Sequence, residues 1–397
     1  MATAAIPGKG SRQYPAPAAV RGRDQQVFRR RRAVAGTILA ALAVAVCVSL
    51  DAALADGEVG PDPAAFERRA LDAVPERTLI GQKLMVRMEG IATRGLIRAA
   101  RDGEIGGVVL FPPPDQPPGE LRDQVSRLQE AARDGGRPEL LVSIDQEGGE
   151  VKRLPEGPPD RSPPELSAPG DEAAARRAGR ETGRYLARIG VNVDLAPVLD
   201  VPSSSLSFVA ARTFGTDPRV VAANGVAFAE GLSRAGVIPA VKHFPGLGRA
   251  VAHTDFGPSE IDAPRGNLDI DLAPFREAIA RKIPMVMVGH AVYTALDRDN
   301  PATLSEAIVG RLLRGKLGFD GVAISDDLGA GAITATASER EAAVAAAGAG
   351  IDILLYAGTD DPAPAAEALQ EALRKGELER AALERSLVRI GRLKDSL

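Results

Sequence analysis

Eight short apolar runs recur along the chain, at 80–88, 107–111, 140–144, 191–199, 237–241, 283–288, 322–324 and 351–356. Each is largely β-branched or aliphatic, as a strand buried on both faces should be. Between most of them the apolar positions fall at helical spacing, over 172–189, 220–235, 304–317, 338–348 and 362–374. Strand then helix, repeated along the chain, predicts an α/β fold: a single parallel (β/α)8 barrel of TIM type. An open doubly wound sheet has the same alternation, but its phosphate turn is missing, since no G-x-G-x-x-G follows an early run.

The catalytic groups of such a barrel come from the C-terminal ends of its strands. The residues at those positions are Asp145, Gln146 and Glu147 after the third run, Asp200 after the fourth, Lys242 and His243 after the fifth, His290 after the sixth, and Asp326 and Asp327 after the seventh. Taken singly, most such acids are capping residues. Together they describe a carboxylate-rich pocket. No His, Asp or Glu cluster has metal-ligand spacing and the chain has one Cys, so neither a metal nor a cofactor is indicated. Paired acids with no metal and no phosphate loop point to the chemistry of the glycosidic bond.

Six segments then carry a resemblance. In chain order, "DQEGGEVKRLP" (145–155), "LAPVLDV" (195–201), "ARTFGTDP" (211–218), "VKHFPGLG" (241–248), "MVMVGHAVYTALDRDNPATLS" (285–305) and "GFDGVAISDDLGA" (318–330) resemble the N-terminal domain of glycoside hydrolase family 3. Within it the likeness is to single-domain bacterial β-N-acetylglucosaminidases, the β-hexosaminidases, and it runs from about residue 79 to the C-terminus. The resemblance implies that Asp326 is the nucleophile, attacking the anomeric carbon to form a covalent glycosyl-enzyme. Its neighbour Asp327 suits the plainer task of capping the helix that follows. It also implies that Asp145 holds sugar hydroxyls, that Lys242 and His243 bind the same sugar, and that Arg212 belongs to the sugar pocket, where a planar guanidinium suits bidentate contacts. His290 reads equally as a sugar ligand and as a satisfied core histidine.

One loop departs from that pattern. The resembling enzymes continue from KHFPGHG to an Asp-Ser-His in which the Asp orients a His that serves as general acid/base. Here the stretch is "KHFPGLGRAVAHTDFG", so His253, Thr254 and Asp255 stand in reversed order. Leu247 replaces the second His, and Arg249 an acid. Three readings follow: Asp255 is a carboxylic acid/base with its pKa raised by a closed loop; His253 donates the proton with Asp255 behind it; or the acid/base is missing and the domain binds glycan or turns over only activated substrates. Glu260 is an outside candidate.

The first residues form a separate object. Residues 1–32 are basic and rich in Pro and Ala, the composition of a disordered segment. Arg29 to Arg32 lead into the uncharged run 33–50, followed by small residues with Ala53, Leu54 and Ala55 fitting a cleavage site. That is the order of an export signal that engages the membrane, and the run is also long enough to remain as an anchor. Cys47 suits a lipoprotein cysteine less well, because Val46 precedes it. Residues 56–76 would be a linker and 77–397 the barrel, placed outside the cell or at the wall. A chain with its single Cys at position 47 has no disulfide in the mature domain.

Charge is nearly balanced, at −4 overall, which argues against nucleic acid or an acidic polymer as partner. The chain contains no Trp, so Phe214, Phe244 and Tyr293 are the expected stacking substitutes for a sugar ring. The expected activity is that of a retaining exo-glycosidase releasing terminal β-linked N-acetylglucosamine from cell-wall glycan or its muropeptide-like fragments, acting as a monomer. The alternatives are a catalytically weakened glycan-binding barrel and a β-glucosidase or β-xylosidase of the same family.

Overall fold

The computed structural model describes residues 71–397 apart from Pro169 and Leu206. The basic N-terminus, the export segment and most of the linker therefore lie outside the described residues. The expected barrel is present: β1 (Leu84–Met88), β2 (Gly107–Leu110), β3 (Leu141–Ile144), β4 (Val193–Asp194), β5 (Ile238–Phe244), β6 (Met285–Val288), β7 (Val322–Asp327) and β8 (Ile353–Tyr356) run parallel, and β1 pairs with β8 to close the ring. Helices pack around it, among them Glu172–Arg188, whose first turn is capped by the Asp171 carboxylate, and Glu339–Ala349, opened by a capping box between Ser338 and Glu341.

Two apolar runs are only partly strand. The run at 80–88 begins in the helix Glu76–Gly81, started after Pro75, and only Leu84 onward joins the sheet. Gly81 is required there, because a Cβ would lie 2.0 Å from the Gly103 carbonyl oxygen. The run at 191–199 makes regular ladder pairs only over Val193–Asp194. Pro197 has no N–H to donate, so the chain beyond it is tied instead by a bridge between Val198 and Lys242 and a bond from Leu199 N to Lys242 O.

The barrel interior is solid. Met85, Val109, Leu141, Val193, Ala240, Met287, Ile324 and Leu355 fill it, and Ile390 and Leu393 of the C-terminal helix Arg380–Lys394 close its N-terminal end. Charge is buried at that end. The Asp352 carboxylate accepts from Ala323 N at 2.9 Å, from Ser386 Oγ at 2.9 Å and from Arg389 at 3.0 Å, and pairs with Arg314. Lys83 donates to Ile351 O and Ser386 Oγ, and Lys394 to Gln82 Oε1 and Gly106 O. Nothing catalytic faces these groups, so they serve to anchor the last helix under the barrel.

Two outcomes follow for stability. Asp352→Ala leaves Arg314 and Arg389 without their shared buried anion, and should cost about 3–5 kcal/mol in urea unfolding. Burial pushes the Lys394 ammonium down to about 7, below its unfolded value near 10.5. The unfolded chain then binds more protons between those limits, so this residue makes stability rise with pH from about 7 towards 10. In Lys394→Met that part of the slope should vanish, as read from unfolding free energies across the window.

Candidate active site

Above the C-terminal strand ends opens a cleft of about 450 Å³, walled by the tips of β1, β3, β5 and β7 and floored by the apolar Val109, Leu195, Met287 and Leu355. Its mouth is crossed by the loop that follows β5. Asp145, Arg212, Lys242, His243, His253, Asp255, Asp326 and Asp327 all line it, so the fold brings together these residues singled out from the sequence.

The centre of the cleft wall is a network of charge. Lys242 Nζ, almost wholly buried, lies 2.7 Å from Asp145 Oδ1 and 2.7 Å from Glu147 Oε1. Arg212 grips the same Glu147 with two bonds, Nε to Oε2 at 2.9 Å and a second guanidinium nitrogen to Oε1 at 2.7 Å. Burial disfavours the Glu147 carboxylate, but Lys242 and Arg212 outweigh it and hold the acid down at about 2. Burial likewise opposes the Lys242 charge, and Asp145 with Glu147 reverses the balance, so the ammonium is held above its ordinary value. Glu147 is thus the anion through which Arg212 is aimed. The strand-end position of Glu147 was visible in the sequence; its partners were not.

Beneath the network Asp194 ends β4. Burial raises its carboxyl to about 8, the Gln146 amide and Lys242 counter this only in part, and Asp145 and Glu147 push it further. It is a neutral acid at neutral pH and adds no charge to the pocket.

Asp200 is buried behind His243. Its Oδ1 accepts from the amides of His243 at 3.1 Å and Leu247 at 2.7 Å, while Oδ2 lies 2.7 Å from His243 Nδ1. An ionised carboxylate only accepts, so Nδ1 carries the proton and Nε2 is left for the cleft. The sequence signal for this support was the acid ending "LAPVLD", opposite the histidine of the next strand.

Asp326 and Asp327 end β7 with opposite surroundings. Burial works against the Asp326 charge, but His243, His290 and Lys242 more than offset it and lower the carboxyl below its usual range. The amide of Asp327 donates to Asp326 Oδ1 at 2.9 Å. Asp327 is raised, chiefly by burial, although its Oδ1 accepts from Gly329 N and Ala357 N. The expected helix cap is not what Asp327 provides: Ala330 stands at the N-cap of Gly331–Thr334, and Asp327 instead ties the turn after β7 to the end of β8. His290 is buried behind this pair. Its Nε2 donates to Asp327 O at 2.8 Å and its Nδ1 lies 2.9 Å from Thr303 Oγ1, so both nitrogens are occupied by protein. It acts on the cleft through Asp326.

The reversed loop crosses the mouth with Thr254 buried, His253 one-third exposed and Asp255 58% exposed at the side chain. The amide of Asp255 donates to His253 Nδ1 at 3.2 Å, while the Asp255 carboxylate stays 3.6 Å from that nitrogen. Two backbone bonds dock the loop on the turn after β7, Gly331 N to Asp255 O and Ala332 N to Thr254 O, both at 2.9 Å. Arg249 anchors its base through Asp271 at 2.7 Å. Glu260, the outside candidate, is exposed on a short strand at the loop's far end and does not line the cleft.

The aromatic expectation is corrected. Phe214, Phe244 and Tyr293 are all buried, Phe244 edge-on to Phe275 and Phe214 against Phe228, while the Tyr293 hydroxyl donates to Gly246 O. The rings of Phe214 and Phe244 meet helices, and none of the three lines the cleft. The rings at the cleft are Phe111, with the Arg87 and Arg153 guanidinium groups 4.2 and 4.5 Å from its centroid, and Phe208.

Comparison with known proteins identifies the family. The chain matches the Glycosyl hydrolase family 3 N terminal domain over residues 80–393. It is 37% identical over 276 residues to "Beta-hexosaminidase LpqI" of Mycobacterium tuberculosis, spanning 67% of this chain and 71% of that protein. It is 34% identical over 330 residues to an "Uncharacterized secreted glycosyl hydrolase" of Arthroderma benhamiae, across 80% and 92% of the two chains. Among solved structures, a family 3 β-N-acetylglucosaminidase from Paenibacillus sp. str. FPU-7 superposes with a TM-score of 0.78 at 33% identity, covering 82% of this chain and 63% of that longer one. A β-N-acetylhexosaminidase from Beutenbergia cavernae gives 0.73 at 32%, covering 81% and 98%. The barrel, the strand-end acids and these likenesses agree: the chain belongs to glycosyl hydrolase family 3 and is a glycoside hydrolase.

Proposed function

We propose that this barrel is a retaining exo-glycosidase that removes terminal β-linked N-acetylglucosamine from cell-wall glycan or its fragments. The observation that carries the reading is Asp326: an ionised carboxylate at the end of β7, lining the same cleft as the Asp145–Lys242–Glu147–Arg212 network and the Asp255 loop. The relatives' names, β-hexosaminidase and β-N-acetylglucosaminidase, support the choice of sugar.

In this reading Asp145, Lys242 and the Nε2 side of His243 hold the hydroxyls of one terminal sugar, and Arg212, steadied by Glu147, closes the pocket. Asp326 attacks the anomeric carbon. The carbon–oxygen bond to the leaving group breaks as Asp255, protonated, gives its proton to the departing oxygen. Asp255, now a carboxylate, takes a proton from water; the oxygen of that water bonds to the anomeric carbon and Asp326 leaves with its electron pair. Asp255 is preferred to His253 because the backbone amide occupies the nitrogen that a supporting carboxylate would have to hold.

The order of basic flank, apolar run and small residues at 29–55 supports a barrel working outside the cytoplasmic membrane, as does the secreted relative. Among the described residues, no helix is long and apolar enough to cross a membrane.

Asp326→Asn should abolish turnover with the fold intact, and a 5-fluoro glycosyl fluoride should label the peptide that contains Asp326; label on another peptide overturns the nucleophile assignment. Asp255→Ala should slow hydrolysis of a disaccharide by about 10² to 10⁴-fold, and of a nitrophenyl glycoside much less, since nitrophenolate departs without a proton. Azide should then restore turnover on the activated substrate. Should His253→Ala give that full pattern and Asp255→Ala only part, the histidine is the acid/base; a wild-type chain that scarcely cleaves the disaccharide is instead a binding protein.

A further inference from the structure

We propose that the lip of the cleft beside Asp255 is a binding subsite for the leaving-group saccharide, with Phe256 as its stacking surface and His253 and Phe208 behind it. This rests on the glycosidase reading above and names the substrate class for it: a β-linked oligosaccharide rather than a small glycoside. The cleft lining ends at Asp255, and the next residue, Phe256, leaves its side chain 87% exposed. On the same loop Val251 is 93% exposed. Of the five large apolar residues exposed among the described residues, these two have the highest fractional exposure.

Phe256 is exposed without being loose. Its ring lies 5.1 Å from that of His253, which in turn lies 4.5 Å from Phe208. Phe208 and His253 line the cleft, so the three rings lead outward from the pocket to the lip. The backbone is clamped as well. Besides the bonds from Gly331 and Ala332, Phe256 N donates to His253 O at 3.1 Å, and a Cβ at Gly331 would meet the Phe256 carbonyl carbon at 2.5 Å. The lip is therefore held at one distance from the turn that follows the nucleophile.

The chemistry decides what sits there. With the terminal sugar enclosed over Asp326, the leaving oxygen must point at Asp255, and the sugar attached to that oxygen projects out of the mouth across the following residue. A pyranose presents an apolar C–H face, and a flat ring open to water is its natural partner. Stacking there adds binding that a substrate with no second sugar cannot use.

The test compares β-1,4-linked N-acetylglucosamine di- and trisaccharides with N-acetylglucosaminyl fluoride, whose leaving group has no sugar surface. Phe256→Ala should lower kcat/KM on the oligosaccharides about three- to tenfold, with fluoride release unaltered, and Phe256→Trp should restore it. An equal loss on both substrate types makes Phe256 a prop for the loop and overturns the subsite, as does an unchanged rate on the oligosaccharides. If the wild type releases no fluoride at all, the glycosidase reading fails, and this one with it.

Discussion

A buried ammonium sets the constraint around which the site is built. Taking the Lys242 charge out of water costs several kcal/mol, and only close, well-directed anions offset that. Asp145 and Glu147 do so at 2.7 Å each, which ties the end of β3 to β5. Glu147 is shared in turn with Arg212, so the loop after β4 is drawn into the same cluster. Had Asp194 beneath them been ionised too, a further anion would stand without a cation of its own. Its raised pKa keeps it neutral, and the cluster remains balanced with Asp145 still partly open to the cleft.

The same economy of partners separates two adjacent acids. Asp326 and Asp327 both line the cleft, but their partners differ. Asp326 meets the field of His243, His290 and Lys242 and stays ionised, whereas Asp327 is turned to the amides of Gly329 and Ala357. One is a carboxylate held by charge and the other a strut held by backbone. Asp200 repeats the second pattern below His243, with both oxygens engaged by two amides and one ring nitrogen.

Much of this was legible before any coordinates. Apolar runs bounded by polar residues marked the strand ends, because a strand covered on both faces cannot hide charge until it leaves the barrel. Direction was harder to read. Phe214 and Phe244 lie within two residues of cleft residues in the chain, yet face helices, since which side of a strand or turn reaches the cleft depends on barrel closure. The shortness of β4 was written in Pro197, while the bond from Leu199 to Lys242 that replaces the lost ladder is a tertiary matter. The pairing of Glu147 with Arg212 spans 65 residues and has no local signature.

The reversed loop shows why order matters more than composition. A histidine that donates a proton while a carboxylate steadies it needs one ring nitrogen pointing at the substrate and the other bonded to the acid. With His253 two residues before Asp255, the backbone folds back so that the Asp255 amide, not its carboxylate, reaches Nδ1. The carboxylate is thereby left beyond hydrogen-bond range and turned to the cleft mouth, 58% exposed. In the proposed reaction that leaves the carboxylate, rather than the imidazole, placed for the proton transfer, and a saccharide lying across Phe256 would cover it as it binds.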